Sequence, residues 1–268
     1  LPKIHKPKNP GRPVVSACSC PTEFISAFVD DVLKPLVFAL PSYVKDTNHL
    51  LNILKEVPND GEKRYLFTMD VKSLYTIIPN EDGLTALRFF LEKRTIKSPP
   101  TDTILRLAEL VLTLNHFEFD SEYFTQVRGV SMGTRMGPSY ACLFMGYLEQ
   151  EFFKSYDGLV PDVYKRYIDD CVGSTTMCLS DLESFIAGLN DFHHAVKYTW
   201  EISETSLECL DVLMSLDENS IKTSIHYKPT ASHAYLHYTS HHPPRCKDSI
   251  PRISRIIHSN ARILAADN

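Results

Sequence analysis

No stretch of the chain approaches the roughly 18 uninterrupted apolar residues of a membrane span, so no membrane partner is expected. The first residues, Leu1-Pro-Lys-Ile-His-Lys6, have neither an initiator Met nor the apolar core of a secretion signal, and the chain reads as an excised piece of a longer one. Its seven cysteines, at 18, 20, 142, 171, 178, 209 and 246, are odd in number and contain no C-x-x-C pair. A disulfide framework and a structural zinc site are both disfavoured, and a reducing compartment, nuclear or cytoplasmic, fits best. With no internal repeat, only 10 Gly in 268 residues, 43% hydrophobic and 23% charged residues, the chain is neither collagenous, coiled coil nor disordered. A soluble globular protein of one large or two small domains remains.

The net charge of −5 hides a segregation of sign. Residues 1–13 hold Lys3, Lys6, Lys8 and Arg12 with no acid, a charge of +4. Residues 241–262 hold Arg245, Lys247, Arg252, Arg255 and Arg262 against Asp248, again +4, so the remainder carries −13. Basic ends around an acidic middle suit a chain that grips a polyanion at two places and keeps a centre for metal ions. Solvated basic ends are the plainer alternative.

Residues 2–6 and 12–16 read as a β-ribbon around Pro7-Lys8-Asn9-Pro10-Gly11. Phe24, Phe28, Val32 and Leu36, at steps of four, mark a helix that stops near Pro41. A second helix presents Ile104, Leu107, Leu110, Val111 and Leu114 and precedes a polar stretch at 115–128; a third runs from about Ser139 to Phe153. Ser180-Asp-Leu-Glu183 reads as a capping box opening a helix whose apolar face is Leu182, Phe185, Ile186, Leu189 and Phe192. Strand signals fall at 64–71, 163–173, 197–203, 207–216 and 220–228, the last two joined through Asp217-Glu218-Asn219. Few long crossovers separate them, which predicts an α+β fold with a mainly antiparallel sheet covered by helices on one face.

Alternation in Arg64-Tyr-Leu-Phe-Thr-Met-Asp70-Val71 puts Tyr65, Phe67 and Met69 on one face and Leu66, Thr68 and Asp70 on the other. A carboxylate ending such a strand is costly unless it caps the next turn, pairs or meets a cation. In Tyr164-Lys-Arg-Tyr167-Ile168-Asp169-Asp170-Cys171-Val172-Gly173, a tight hairpin would expose two adjacent carboxylates together. They repel unless a divalent ion holds them ionised, an ordinary exposed turn being the alternative. Together the three aspartates supply oxygen ligands for two Mg²⁺ ions and leave positions for water and phosphate, the arrangement of two-metal phosphoryl transfer. Spacing alone does not separate a polymerase from a two-metal nuclease.

Asp70-Val-Lys-Ser-Leu-Tyr75 resembles motif A of reverse transcriptases, Gln126-Val-Arg-Gly129-Val-Ser-Met-Gly133-Thr-Arg-Met-Gly137-Pro138 is similar to motif B, and Tyr167-Ile-Asp-Asp170 to motif C. Leu1-Pro-Lys-Ile-His-Lys6 and Arg12-Pro-Val-Val-Ser16 resemble the fingers motifs. The wording of these motifs, with the later segments Tyr235-Leu-His-Tyr-Thr-Ser-His-His-Pro243 and Ser249-Ile-Pro-Arg-Ile-Ser-Arg-Ile256, is most similar to Penelope-like retroelements, relatives of telomerase. The resemblance spans essentially the whole chain.

It implies a right-hand polymerase with fingers at 1–60 and 81–118, palm at 61–80 and 119–235, and the start of a thumb at 236–268. RNA-directed DNA polymerisation follows, with an RNA template, a DNA primer and dNTPs as partners and two Mg²⁺ ions, or Mn²⁺, as cofactors. Asp70 and Asp169 would ligate the metals, with Asp170 assisting and the Val71 carbonyl a further ligand. Tyr75 falls on the family's steric-gate position, where a ring would clash with a 2′-hydroxyl; an ordinary core aromatic is the alternative. Lys6 and Arg12 would hold the triphosphate, with Lys3 and Lys8 open as substitutes for Lys6. Gln126 and Gly129 would line the nascent base pair, and Arg252 and Arg255 would meet primer–template phosphates. Lys197 would protonate pyrophosphate or be a plain solvent-facing strand Lys. The chain departs from the family at Gly137, where alanine is usual.

Two other readings exist. Gly129-Val-Ser131-Met-Gly133 satisfies the G-x-S-x-G pattern of serine hydrolases, although the segment before it is too polar for a buried parallel strand. A domesticated copy that binds nucleic acid without copying it is the non-enzymatic reading, against which all three aspartates and Tyr75 are present. His193-His194, His241-His242 and Cys18-Ser-Cys20 show no partners at metal-like spacing.

Overall fold

The computed structural model describes residues 14–15, 17–59, 61–218, 220–227, 236–237 and 239–248. Most of the N-terminal ribbon, with Lys6 and Arg12, lies outside the described residues, as do Arg252, Arg255 and most of the expected thumb. In chain order the elements are α1 (Glu23–Phe38), α2 (Thr47–Lys55), β1 (Tyr65–Val71), α3 (Leu74–Ile77), α4 (Asn80–Glu92), α5 (Thr101–Thr113), β2 (His116–Phe119), β3 (Glu122–Thr125), α6 (Gly137–Ser155), β4 (Val163–Tyr167), β5 (Asp170–Thr175), α7 (Leu179–Phe192), β6 (Tyr198–Ser203), β7 (Ser206–Cys209), β8 (Val212–Asp217) and β9 (Ser220–Ile225).

The main sheet has the order β4-β5-β1-β6 with every pair antiparallel, as the scarcity of crossovers predicts. Tyr65, Phe67, Met69 and Val71 of β1 enter the larger core, against the buried residues of α1, α4, α5, α6 and α7. α6 is enclosed almost all round, with Tyr140 to Gly146 buried in one unbroken run, the mark of a central helix and not of a surface amphipath. The opposite face is not left bare. At one end of it Leu66 and Val172 pack with Leu50, Leu51 and Leu54 of α2 and with Leu207, Val212 and Met214 of the three-stranded sheet β7-β8-β9. The α+β expectation holds, while helical cover of one face alone is corrected by this second core.

Several local expectations shift. The stripe Phe24, Phe28, Val32, Leu36 is not the buried face of α1: Phe24 is 85% exposed and the core takes Val29, Leu33 and Val37 instead. Two polar side chains share that buried face. Ser26 accepts the Met136 N–H at 3.0 Å and Asp30 accepts the Ser139 hydroxyl at 2.5 Å, pinning α1 to the start of α6. α5 likewise buries Ile104, Leu105, Ala108, Val111 and Leu112, leaving Leu114 exposed. The capping box does not form. α7 starts at Leu179 with Cys178 as its N-cap, and the Cys178 thiol donates to Asp181 Oδ2 at 2.9 Å. The polar stretch 115–128 contains a hairpin, β2–β3, turned at Asp120 and Ser121, both at positive φ. The signal at 207–216 divides into β7 and β8, because Leu210 enters the left-handed region at φ 55°.

Close approach across the main sheet is concentrated at Gly173, which pairs with Phe67. A Cβ there would collide with the Phe67 ring and the Val163 carbonyl. Gly173→Ala is expected to destabilise the fold by about 1–3 kcal/mol through overpacking, read as a lowered midpoint in urea unfolding.

Candidate functional site

The two-residue period of β1 turns Asp70 away from the helices, on the face shared by Leu66 and Thr68. The β1–β5 register then sets Asp70 directly opposite Asp170. Such partners have Cα atoms about 4.5–5.5 Å apart, and like charges in that relation repel. Asp169 sits in the two-residue turn between β4 and β5, after Ile168 in the left-handed region at φ 57°. Its carbonyl accepts the Val71 N–H at 3.2 Å, which ties the turn to the end of β1. All three aspartates are half-buried. Backbone pairing brings the three aspartates to one end of the sheet, and carboxylate oxygens are the donors that hard divalent ions such as Mg²⁺ take.

Asp70 and Asp170 border a cleft of about 1040 Å³ whose walls include Asp46, Glu201, Glu208 and Asp211. Among the described residues, His226 is the one basic side chain on these walls, and its ring lies 3.1 Å from Glu208. A separate cavity of about 460 Å³ lies beside Glu149 and reaches none of the three aspartates.

Tyr75 lies on the short helix α3, five residues after Asp70. Burial, with Cys142 and Asp169 adding to it, pushes its phenol up to about 12, so the hydroxyl stays protonated at neutral pH. The 126–136 loop docks against it. Val130 N–H donates to the Tyr75 carbonyl at 2.8 Å, and Asn80 Oδ1 accepts the Gly129 N–H at 3.2 Å. Gly129 has φ +77°, and a Cβ on it would strike the Tyr75 carbonyl. At Gly137 a Cβ would meet the Tyr75 ring at 3.5 Å, an ordinary contact, so the departure from alanine does not distort the start of α6. Gln126 folds back on the same loop, its amide donating to the Arg128 carbonyl at 2.9 Å and its Oε1 accepting the Ser131 hydroxyl at 3.1 Å. That contact, in a loop following the exposed β2–β3 hairpin, gives Ser131 neither a base nor the strand-to-helix elbow of a hydrolase.

Two residues behind the turn are given no role by the motifs, although Arg166 directly precedes Tyr167. Arg166 and Glu149 are 2% and 4% exposed. The guanidinium forks onto the carboxylate, Nε to Oε1 at 2.6 Å and Nη2 to Oε2 at 3.0 Å, while Nη1 donates to the Ile168 carbonyl at 2.8 Å. Burial opposes the Arg166 charge, but Glu149 outweighs it and raises the guanidinium pKa above its ordinary value. A glutamate in the otherwise apolar interior of α6 was the available signal. Lys197 binds the Asn190 carbonyl at 2.8 Å at the end of α7, which favours the plain structural role. The fold also supplies a partner that spacing did not: Asp82 joins His193 and His194, their ligand atoms all within 4.8 Å, the only such trio among the described residues. His193 is already engaged, its Nδ1 accepting the Ala195 N–H and its Nε2 3.3 Å from Asp82.

The family model described as reverse transcriptase (RNA-dependent DNA polymerase) matches residues 4–206. The chain belongs to the reverse transcriptase family. No curated protein matches it in sequence. Among solved structures, the chain is similar to apo telomerase from Candida tropicalis truncated from its C-terminal domain, at TM-score 0.57 and 13% identity over 74% of this chain and 45% of that one. Telomerase from Candida albicans in complex with a TWJ fragment of telomeric RNA gives TM-score 0.60 and 12% identity over 81% and 39%. The RNA-dependent RNA polymerase of a human picobirnavirus gives 0.54 and 13% over 75% and 40%. The polymerase fold is therefore shared, and the chain spans less than half the length of these neighbours. No helix among the described residues is long and apolar enough to cross a membrane.

Gly129 and Gly137 should respond oppositely to alanine. Gly129→Ala faces both positive φ and the Tyr75 carbonyl and is expected to undock the loop, lowering thermal stability and exposing 126–131 to protease. Gly137→Ala is expected to leave both readouts at wild-type values.

Proposed function

We propose that the chain is the fingers and palm of an RNA-directed DNA polymerase of Penelope-like retroelement origin, extending a primer 3′-hydroxyl with dNTPs on an RNA template. The observation that carries this is Asp70 opposite Asp170, with Asp169 tied to Val71, inside a chain of the reverse transcriptase family. In this reading 1–60 and 81–118 are fingers, 61–80 and 119–235 palm, and 236–268 the start of a thumb.

Asp70 and Asp169 would hold two Mg²⁺ ions, or Mn²⁺, with Asp170 assisting and the Val71 carbonyl as a further donor. Bound there, the ions would supply a lowered pKa for the primer hydroxyl and charge to offset that on the leaving pyrophosphate. The acidic walls of the cleft would otherwise repel a phosphate-bearing substrate. Lys6 and Arg12 bind the triphosphate, and Arg252 and Arg255 bind the phosphates of the primer–template. Gln126 and Gly129 flank the new base pair. Tyr75, fixed through its carbonyl by Val130 and standing over Gly137, is the wall beneath the incoming sugar.

The test is primer extension on an RNA template in Mg²⁺. Asp70→Asn and Asp169→Asn should each lower the rate about a thousandfold while the thermal transition persists. Near-normal extension by either folded variant would refute the assignment.

The shared fold of RNA-dependent RNA polymerases keeps one alternative in play, synthesis with ribonucleotides, and Tyr75 decides between them. Tyr75→Val should raise ribonucleotide use relative to deoxyribonucleotide use about ten- to a hundredfold, measured as kcat/KM for GTP against dGTP on one template. An unchanged ratio with extension intact would make Tyr75 a core aromatic only.

A further inference from the structure

We propose that Arg166, braced by Glu149, is a positioning residue for Asp169; the inference rests on the metal-binding role read for Asp169 above. Ile168 is β-branched yet held at φ 57°, a region that favours glycine and asparagine. Left to itself, this residue would relax to negative φ and rotate the peptide that leads into Asp169. Its carbonyl is the group that Arg166 Nη1 holds at 2.8 Å. On the far side of Asp169 the carbonyl is held by Val71 N–H at 3.2 Å. The aspartate is thus fixed through the peptide on each side, one anchored to the buried guanidinium and the other to the strand of Asp70.

The guanidinium cannot drift, since its fork on Glu149 is completed by Nη2 donating to the Cys142 carbonyl at 3.3 Å. Glu149 in turn accepts from the Ser42 hydroxyl at 2.5 Å and the Tyr164 hydroxyl at 3.0 Å. The backbone of Arg166 is bracketed as well, its N–H donating to the Ser42 carbonyl at 2.6 Å and its carbonyl accepting from Val44 N–H at 2.9 Å. Every donor and acceptor in this cluster points to one outcome: a rigid support ending on the Ile168 carbonyl. A lysine can keep the charge but cannot make the fork and reach Ile168 together.

The experiment compares wild type, Arg166→Lys, Ile168→Gly and the double variant of the full chain. Three quantities are read: thermal stability, the Mg²⁺ concentration for half-maximal primer extension, and Mn²⁺ affinity by water-proton relaxation. Arg166→Lys is expected to weaken metal affinity about 10–100-fold, as loss of a support behind a ligand does, with excess metal restoring part of the rate and KM for dNTP little changed. Glycine adopts the turn without strain, so in the Ile168→Gly background the same lysine substitution should cost a clearly smaller factor. Equal factors in the two backgrounds, or metal affinity unchanged in folded Arg166→Lys, would overturn the proposal. If Arg166→Lys does not fold, Glu149→Gln, which keeps the shape and removes the charge of the brace, carries the same comparison. Asp169→Asn separates the two layers. Full Mn²⁺ affinity in that variant sinks the metal reading itself, whereas its loss together with an indifferent Arg166→Lys sinks only the positioning role.

Discussion

Everything at the candidate site depends on one constraint, the antiparallel register of β1 on β5. A strand alternates with a period of two, so a slip of one residue would send Asp70 into the helical core and Phe67 into the cleft. The register is held by what lies on the helix side, where Phe67 rests on Gly173 and Met69 faces Cys171. Apolar packing on one face therefore determines which carboxylates meet on the other. The meeting itself is unfavourable in isolation, and the fold tolerates it because the surrounding pairs, not the aspartates, carry the energy of pairing.

The loops follow from that sheet. Tyr75 is positioned by the turn leaving β1, and the 126–136 loop is positioned by Tyr75 through a backbone hydrogen bond and the missing Cβ of Gly129. α6 then starts where Ser26 and Asp30 of α1 accept its first polar groups. One consequence is that residues distant in sequence report on each other: disturbing Gly129 disturbs the position read as a sugar gate. Another is that the outer stripe of α1, Phe24 and Phe28, is left exposed while Val29, Leu33 and Val37 share the inner face with Ser26 and Asp30.

Much of this is legible without coordinates. The alternation of 65–70 gives the face of Asp70, and the tight hairpin between β-prone halves is legible too, although its turn is Ile168-Asp169 and Asp170 already belongs to β5. The α+β layering follows from the paucity of crossovers. What is not legible has a physical cause in each case. The rotation of α1 is not legible because a period of four names a stripe without saying which side is covered. The β2–β3 hairpin was missed because its strands, exposed on both faces, lack hydrophobic alternation. Cys178 displaced Ser180 as N-cap, an outcome that side-chain preference alone does not favour. Glu149 escaped because it belongs to no motif, Arg166 because its place beside Tyr167-Ile-Asp-Asp170 assigns it no role, and their meeting joins a helix to a strand across the core. The Asp82, His193 and His194 trio likewise exists only after α4 and the end of α7 are brought together.

The central claim is that Asp70, Asp169 and Asp170 form one divalent-cation centre. Hydroxyl-radical cleavage generated by Fe²⁺ bound to the wild-type chain tests it most directly, because backbone scission marks residues within reach of the ion. The account predicts two sets of cuts in the same sample, around residue 70 and around residues 169–170, both suppressed by competing Mg²⁺. Cleavage confined to the neighbourhood of Asp82 and His193, or cuts near Asp70 that Mg²⁺ does not suppress, would contradict it.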